Sequence, residues 1–298
     1  MPLSQEQIEK RRDGLGASDM AAILNLDPFR TSYDVMCEKR GLLAPEKGSR
    51  PWLEAGNLLE PAIINWARTV LGPIDTPSEA FRDPKGSCLL AHPDGVVVAN
   101  GRPVEAKSHL QYTDEHWGDP ETDDIPDRVI IQGTVQMICL PSRPDICHVI
   151  ALLPRTLFVP YIVRLNTDLA DKIRKAADDF QKLKDSGGWP DASPSPNIIK
   201  RIRREPKSVV AVSEAVFVRA RDLRQARLNA EKAEQAAMNA LYGEIGTAEA
   251  GICEDGMFTF LEQCGVPKID KERLEADHPD LLGKYLTETA HRVPRFKK

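Results

Sequence analysis

The stretch His92-Pro93-Asp94-Gly95-Val96-Val97-Val98-Ala99-Asn100-Gly101-Arg102-Pro103-Val104-Glu105-Ala106-Lys107 joins two β-type segments through an Asn-Gly pair. Three consecutive valines mark a buried strand, and Asn100-Gly101 is a strong signal for a two-residue hairpin turn. Closing that turn predicts Ala99 opposite Arg102, Val96 opposite Glu105 and Asp94 roughly opposite Lys107. Glu105 and Lys107, two apart, share one face of their strand. Asp94 then lies across from both, directly or diagonally, within side-chain reach. Two carboxylates and an amine gathered at the end of an apolar ladder are costly to bury without a cation or a chemical role. The pattern therefore reads as a metal site. A solvated hairpin face accommodates the same residues, and Pro103 removes one ladder donor, leaving the register open by a residue.

Working outward, a chain of 298 residues with 41% hydrophobic and 29% charged content suits a globular protein with one main domain and an appendage. No apolar run approaches the length of about 20 residues that spans a bilayer, and no signal-peptide pattern opens the chain. A cytoplasmic setting without membrane partners is the expectation. The six cysteines (Cys37, Cys88, Cys139, Cys147, Cys253, Cys264) are scattered and mostly lie in apolar runs. Buried free thiols fit them better than disulfides or zinc ligands. A net charge of -5 gives no global sign of nucleic-acid binding, yet a locally basic groove is compatible with it.

Toward the N-terminus, Ser4-Gln5-Glu6-Gln7 is a capping-box pattern opening a helix that carries Arg11 and Arg12. Gly14-Leu15-Gly16-Ala17-Ser18-Asp19 follows, a Gly-rich turn into a helix with Ser18 or Asp19 as N-cap; it reads as an ordinary cap or as an anion site. Thr31 or Ser32 caps the next helix. From Trp52 to Leu71 apolar residues recur at helical spacing with Glu60 and Pro61 among them, Glu60 reading as exposed or as a ligand aimed inward. Phe81 to Leu90 reads as a strand, and Asp114 to Asp127 as an acidic loop holding His116 and Trp117.

Pro126 opens a helix to Leu140 whose apolar face is interrupted by Gln132 and Gln136. Residues 146–153 and 157–165 read as strands, and a helix runs from about Leu169 to Lys184. This order argues for an α/β fold, a mixed sheet flanked by helices, over residues 1–185. Residues 186–207 read as a linker ending in Lys200, Arg201, Arg203 and Arg204, either a solvated charge run or a contact to DNA backbone. Residues 208–298 read as a helical arm from about Ser213 to Leu241, then a hairpin over 251–261, a helix over 270–285 and a basic tail.

Together these pieces resemble the lambda-exonuclease/YqaJ-like branch of the PD-(D/E)XK nucleases, over roughly residues 8–183. The resemblance rests on Arg11 with Gly16-Ala17-Ser18-Asp19, Gly56-Asn57-Leu58-Leu59-Glu60-Pro61, His92-Pro93-Asp94-Gly95, Glu105-Ala106-Lys107, and Gln132 with Gln136, in family order. It implies a restriction-endonuclease-like core with a mainly helical extension. It implies Mg²⁺ or Mn²⁺, with two ions per site, held by Asp94, Glu105, the Ala106 carbonyl and Glu60. Lys107 would position and help deprotonate the attacking water, and Gln132 would hold the water or Lys107 in place. Arg11 and Ser18 would bind a terminal 5′-phosphate. His92 stands where the family pattern has a serine near the phosphate, and histidine also donates to phosphate.

The implied activity is 5′→3′ exonuclease action on double-stranded DNA ends, leaving a 3′ strand for a phage single-strand annealing protein. The implied assembly is a trimer. An endonuclease or repair nuclease on the same core, and a binding protein with a degenerate site, are the competing readings; absent iron–sulfur cysteine spacing argues against one repair-type variety.

Overall fold

In the computed structural model, residues 14–44, 51–109, 116–154, 157–262 and 270–279 are described. The chain divides into two units, Met1–Pro206 and Lys207–Lys298.

In the first unit the β-branched runs become the centre of a mixed sheet. The strands of this unit are β1 (Leu15–Gly16), β2 (Ile74–Asp75), β3 (Phe81–Arg82), β4 (Leu89–Ala91), β5 (Gly95–Val97), β6 (Pro103–Ser108), β7 (Ile146–Leu153) and β8 (Leu157–Arg164). Five of them form one sheet in the order β2-β5-β6-β7-β8, antiparallel except for the parallel β6/β7 pair. Pro160 is tolerated because β8 is an edge strand. The helices are α1 (Ala17–Ile23), α2 (Ser32–Lys39), α3 (Pro51–Leu71), α4 (Asp127–Cys139), α5 (Thr167–Asp185) and α6 (Pro196–Arg201).

β7 is buried on both faces, as a parallel-paired central strand should be. Ile150 and Leu152 join Ile63, Ile64 and Ala67 of α3 with Val97 and Val104. Cys147, Val149 and Ala151 join Val129 and Met137 of α4 with Tyr161 and Val163. Helices thus flank the mixed sheet on both faces. Since Val104 belongs to the α3 side, the two-residue period of β6 puts Glu105 on the α4 side.

The region expected to be one strand, Phe81 to Leu90, is two short strands, β3 and β4, which pair antiparallel around a turn organised by the buried Asp83. With β1, parallel to β4, they make a separate three-stranded sheet. Asp83 accepts from Lys85 N–H, Ser87 Oγ and the Arg174 guanidinium, and these bonds are what divide the strand.

The central hairpin also differs from expectation. Gly95 pairs with Val104 and Val96 with Pro103, two residues away from the predicted register. The Val97 N–H donates to the Arg102 carbonyl at 2.9 Å, and Gly101, at φ 67°, closes a four-residue loop by donating to Val97 O at 2.8 Å. Asn100 Oδ1 accepts from Arg102 N–H, so the Asn-Gly pair sits within a longer loop. A slip of two residues preserves every face. Continuing the observed register sets Asp94 against Glu105 in place of Lys107.

Of the expected linker over residues 186–207, residues 186–206 belong to the first unit and are packed on it. Ser195 N–H donates to Asp34 Oδ1 at 2.9 Å, Ala44 N–H to Arg201 O and Arg203 N–H to Leu42 O, with Leu43 and Ile202 bridged. Arg40 reinforces this, donating to the Lys184 and Gly188 carbonyls beneath the Trp189 ring.

The second unit contains α7 (Glu214–Ile245), β9 (Ala250–Cys253), β10 (Gly256–Thr259) and α8 (Lys271–Asp277). The 32-residue α7 buries no residue, and its C-terminal end meets the hairpin through Tyr242, whose ring lies 5.8 Å from Phe258 and 4.8 Å from Phe260. Expected features over residues 4–12 and 280–298 lie outside the described residues. Among the described cysteines, Cys37, Cys139 and Cys147 are buried free thiols, while Cys253 is exposed. No helix among the described residues is long and apolar enough to cross a membrane.

Candidate active site

Glu105 is the best-held carboxylate of the hairpin. It is 7% exposed, and both of its oxygens are engaged. Oε1 accepts from Lys107 Nζ at 2.5 Å, two residues along the same face of β6. Oε2 accepts from Gln136 Nε2 of α4. Asp94, just before β5, is partly buried, and its Oδ2 accepts the Ala106 N–H at 2.8 Å. Burial, and next the charge of Glu105, push the Asp94 carboxyl well above the usual carboxylate range; Lys107 and the Ala106 N–H act in the opposite direction, and Glu60 adds weakly to the rise.

Close approach of three elements produces this geometry. A Cβ on Gly95 would lie 2.4 Å from Ile74 Cγ2, so only glycine lets β5 follow Asp94 this close to β2. On the other face, a Cβ on Gly133 would meet Cys147 Sγ at 3.2 Å. That glycine lets α4 settle onto β7, and Gln136, less than one turn later, reaches Glu105.

Asp94 and Glu105 crowd two acidic groups around one lysine. Their oxygens are hard donors of the kind Mg²⁺ and Mn²⁺ take, and Mg²⁺ commonly uses only one or two carboxylates and keeps its waters. One turn before Gln136 on the same face of α4, Gln132 Oε1 is buried with no hydrogen-bond partner. A buried carbonyl oxygen without a donor is costly, and a donor such as an ion-bound water would satisfy it. The residues present fit a hard divalent ion. Glu60, on α3, is exposed, and among the described residues no three His, Cys, Asp or Glu side chains are gathered as ligands for one ion.

Ser18 and His92 are both exposed. The N-cap of α1 is Gly16, where Ser18 or Asp19 was expected, because Asp19 turns back to accept the Gly16 N–H at 3.0 Å. Asp19 is 7% exposed; burial works to raise its carboxyl, but Lys39 at 2.7 Å and Arg30 at 3.0 Å hold it below the usual range. This locks the turn that presents Ser18. Arg11 lies outside the described residues. Of the basic cluster, Lys200, Arg203 and Arg204 are exposed and Arg201 is half-buried. In the acidic loop, His116 meets Asp124 at 2.9 Å, and Trp117 leans on the Tyr161 ring.

Gln136 touching Glu105 and Cys147 beneath it are contacts that local spacing does not show. The signal available was a second glutamine on an otherwise apolar helix face, with a glycine between the two.

A mixed sheet flanked by helices, with an aspartate and a Glu-Ala-Lys triplet facing each other on adjacent strands, is the class of this core. Residues 7–141 match the model of the YqaJ-like viral recombinase domain. The chain is similar to the protein YqaJ of Bacillus subtilis (strain 168), 24% identical over 297 residues that cover 96% of this chain and 92% of that one. It also has likeness to an alkaline exonuclease from Laribacter hongkongensis, at 18% identity and a TM-score of 0.48, covering 62% of this chain and 94% of that one. The same enzyme in complex with dAMP gives a TM-score of 0.47 over the same shares.

Proposed function

We propose that this chain is a metal-dependent deoxyribonuclease that digests double-stranded DNA ends in the 5′→3′ direction, leaving a 3′ single strand for annealing-type recombination. The observation that carries the reading is the meeting of Asp94, Glu105 and Lys107 at one point, backed by α4, within the residues that match the YqaJ-like domain. Mg²⁺ or Mn²⁺ bound there would polarise the scissile phosphate and lower the cost of ionising a water. Asp94 and Glu105, with the Ala106 carbonyl, would supply the oxygens that hold the ion, and Glu60 would help to hold a second one. Lys107 orients the attacking water, takes up its proton and offsets charge on the phosphate. Gln132 holds that water through its unpartnered Oε1. Arg11, Ser18 and His92 hold the terminal 5′-phosphate, and Lys200, Arg203 and Arg204 meet the DNA backbone. The partners of this reading are a duplex end, further copies of the chain in a ring, and a single-strand annealing protein.

The test is digestion of linear duplex DNA with Mg²⁺ or Mn²⁺, comparing 5′-phosphate with 5′-hydroxyl ends and a closed circle. Loss of one strand from phosphorylated linear ends, with the circle spared, is expected. Nicking of the circle would establish an endonuclease, and absence of cleavage with either ion would overturn the nuclease reading. An Arg11→Ala variant that kept full preference for phosphorylated ends would remove Arg11 from the phosphate site.

A further inference from the structure

Beneath the carboxylate pair lies a buried polar chain that the hydrolytic chemistry does not itself use. Gln136 is 2% exposed and Cys147 fully buried, both inside otherwise apolar packing. Cys147 Sγ stands 3.7 Å from Gln136 Oε1, and the Gln136 amide nitrogen donates to Glu105 Oε2. The same sulfur is also 3.7 Å from the His148 carbonyl. Burial pushes the Cys147 thiol well above its usual range, and the neighbouring Glu105 and Asp94 charges push it further, so it stays protonated as a donor.

The direction of the chain follows from donor and acceptor chemistry. An ionised carboxylate only accepts, so the Gln136 NH₂ must face Glu105 and its carbonyl must face away. Among the described residues, the Cys147 S–H is the donor that meets that carbonyl. An amide rotated by half a turn would set two oxygens against each other at Glu105 and leave the NH₂ facing a sulfur, which is only a weak acceptor. We infer that Cys147 and Gln136 are positioning residues: the thiol fixes the Gln136 amide, and the amide fixes Glu105 in the orientation in which it shares a metal with Asp94. The inference rests on the nuclease reading of the site, in which Glu105 is a metal ligand. An outer group that orients a ligand typically contributes 10- to 100-fold in metal affinity.

The test uses the whole 298-residue chain and two readouts. Without metal, NMR of the side-chain amide groups in ¹⁵N-labelled protein reports Gln136 directly. Its NH₂ exchange should be slow in wild type and in Cys147→Ser, whose hydroxyl keeps a donor. It should be at least about 10-fold faster in Cys147→Val, which fills the space without donating. With Mn²⁺ alone, without DNA, titration followed by electron paramagnetic resonance should show 10- to 100-fold weaker binding for Gln136→Leu, on the scale of other outer-shell substitutions. Cys147→Val should fall in between, and Cys147→Ser should bind as wild type does. Equal Gln136 exchange in wild type and Cys147→Val overturns the thiol's role, and unchanged Mn²⁺ affinity in Gln136→Leu overturns the amide's. Wild-type protein that binds no Mn²⁺ counts against the metal site, and the exchange experiment still decides the thiol–amide link by itself.

Discussion

Replacing Asp94 by asparagine should make the metal-free protein more stable at neutral pH while ending hydrolysis. The Ala106 N–H donates to Asp94 Oδ2 at 2.8 Å, and an asparagine carbonyl keeps that bond, so the substitution removes charge and little else. Burial leads the causes that make the Asp94 carboxyl hard to ionise, with the Glu105 charge second; the attraction of Lys107 does not offset them. A carboxyl whose value is raised on folding costs nothing where folded and unfolded chains are both protonated, below about pH 3.9. As pH climbs above that value the unfolded chain ionises first. The folded state then loses relative stability until the folded group ionises too, and the penalty levels off. An asparagine at this position does not titrate and has no such slope, so the advantage of D94N should be near zero at pH 3.5 and grow toward pH 7.5.

Single stabilising substitutions commonly yield roughly 0.5–2 kcal/mol, and a destabilised active-site group is one that such a substitution relieves at the cost of function. At about 2–4 °C per kcal/mol for a domain of this size, the Tm gain is a few degrees. Calorimetric melts in EDTA across that pH range measure it. Saturating Mn²⁺ should reverse the order, since binding at about 100 times Kd stabilises wild type by about 2.7 kcal/mol and the variant by far less. A variant no more stable than wild type at pH 7.5 in EDTA, or an equal difference at both pH values, would refute the reasoning that Asp94 is a strained carboxylate held for a cation.

Lys107→Ala should lower turnover on linear duplex by about 10²–10⁴-fold, the usual contribution of general acid–base groups. Its circular dichroism should match wild type, and near-normal turnover would remove Lys107 from the chemistry. Gly95→Ala places a Cβ 2.4 Å from Ile74 Cγ2, so it should cost about 1–3 kcal/mol in denaturant unfolding. In an Ile74→Ala background, where the space is open, the same glycine substitution should cost less; an equal cost in both backgrounds would mean that the contact is not the cause. Changing Lys200, Arg203 and Arg204 together to glutamine should flatten the dependence of log K on log salt for duplex binding by up to about 2.7, at about 0.9 per lost phosphate contact. An unchanged slope would leave these residues as a solvated face.

What was legible in the sequence followed the range of the interaction that decides each feature. The runs at 146–153 and 157–165 declare themselves because β-branched, apolar residues fill both faces of β7 and one edge of the sheet. The neighbourhood of Glu105 and Lys107 was legible because a two-residue period needs no knowledge of the rest of the chain. The hairpin register was not, since it depends on Pro103 lacking an N–H, on Asn100 bonding to Arg102 and on Ser142 Oγ reaching the Gly101 carbonyl from after α4. The split of Phe81–Leu90 depends on Arg174, 91 residues from Asp83.

The same rule explains why the support of the site stayed hidden while its acids did not. Glu105 meets Gln136 across 31 residues, and that contact exists only because α4 lies against β7 at Gly133. A side chain added at Gly133 tests this dependence without replacing a polar group of the site. Gly133→Ala puts a methyl 3.2 Å from Cys147 Sγ and 3.5 Å from Val163 Cβ, a tight fit that a small rise of the helix from the sheet relieves. A rise of even a few tenths of an ångström carries Gln136 away from a hydrogen-bonded carboxylate. Helix propensity acts the other way, since alanine is favoured over glycine in a helix interior by about 1 kcal/mol. The expected outcome is therefore a protein of nearly unchanged stability whose Mn²⁺ affinity falls, with wild-type affinity in Gly133→Ala as the result that would uncouple the docking of α4 from the metal site.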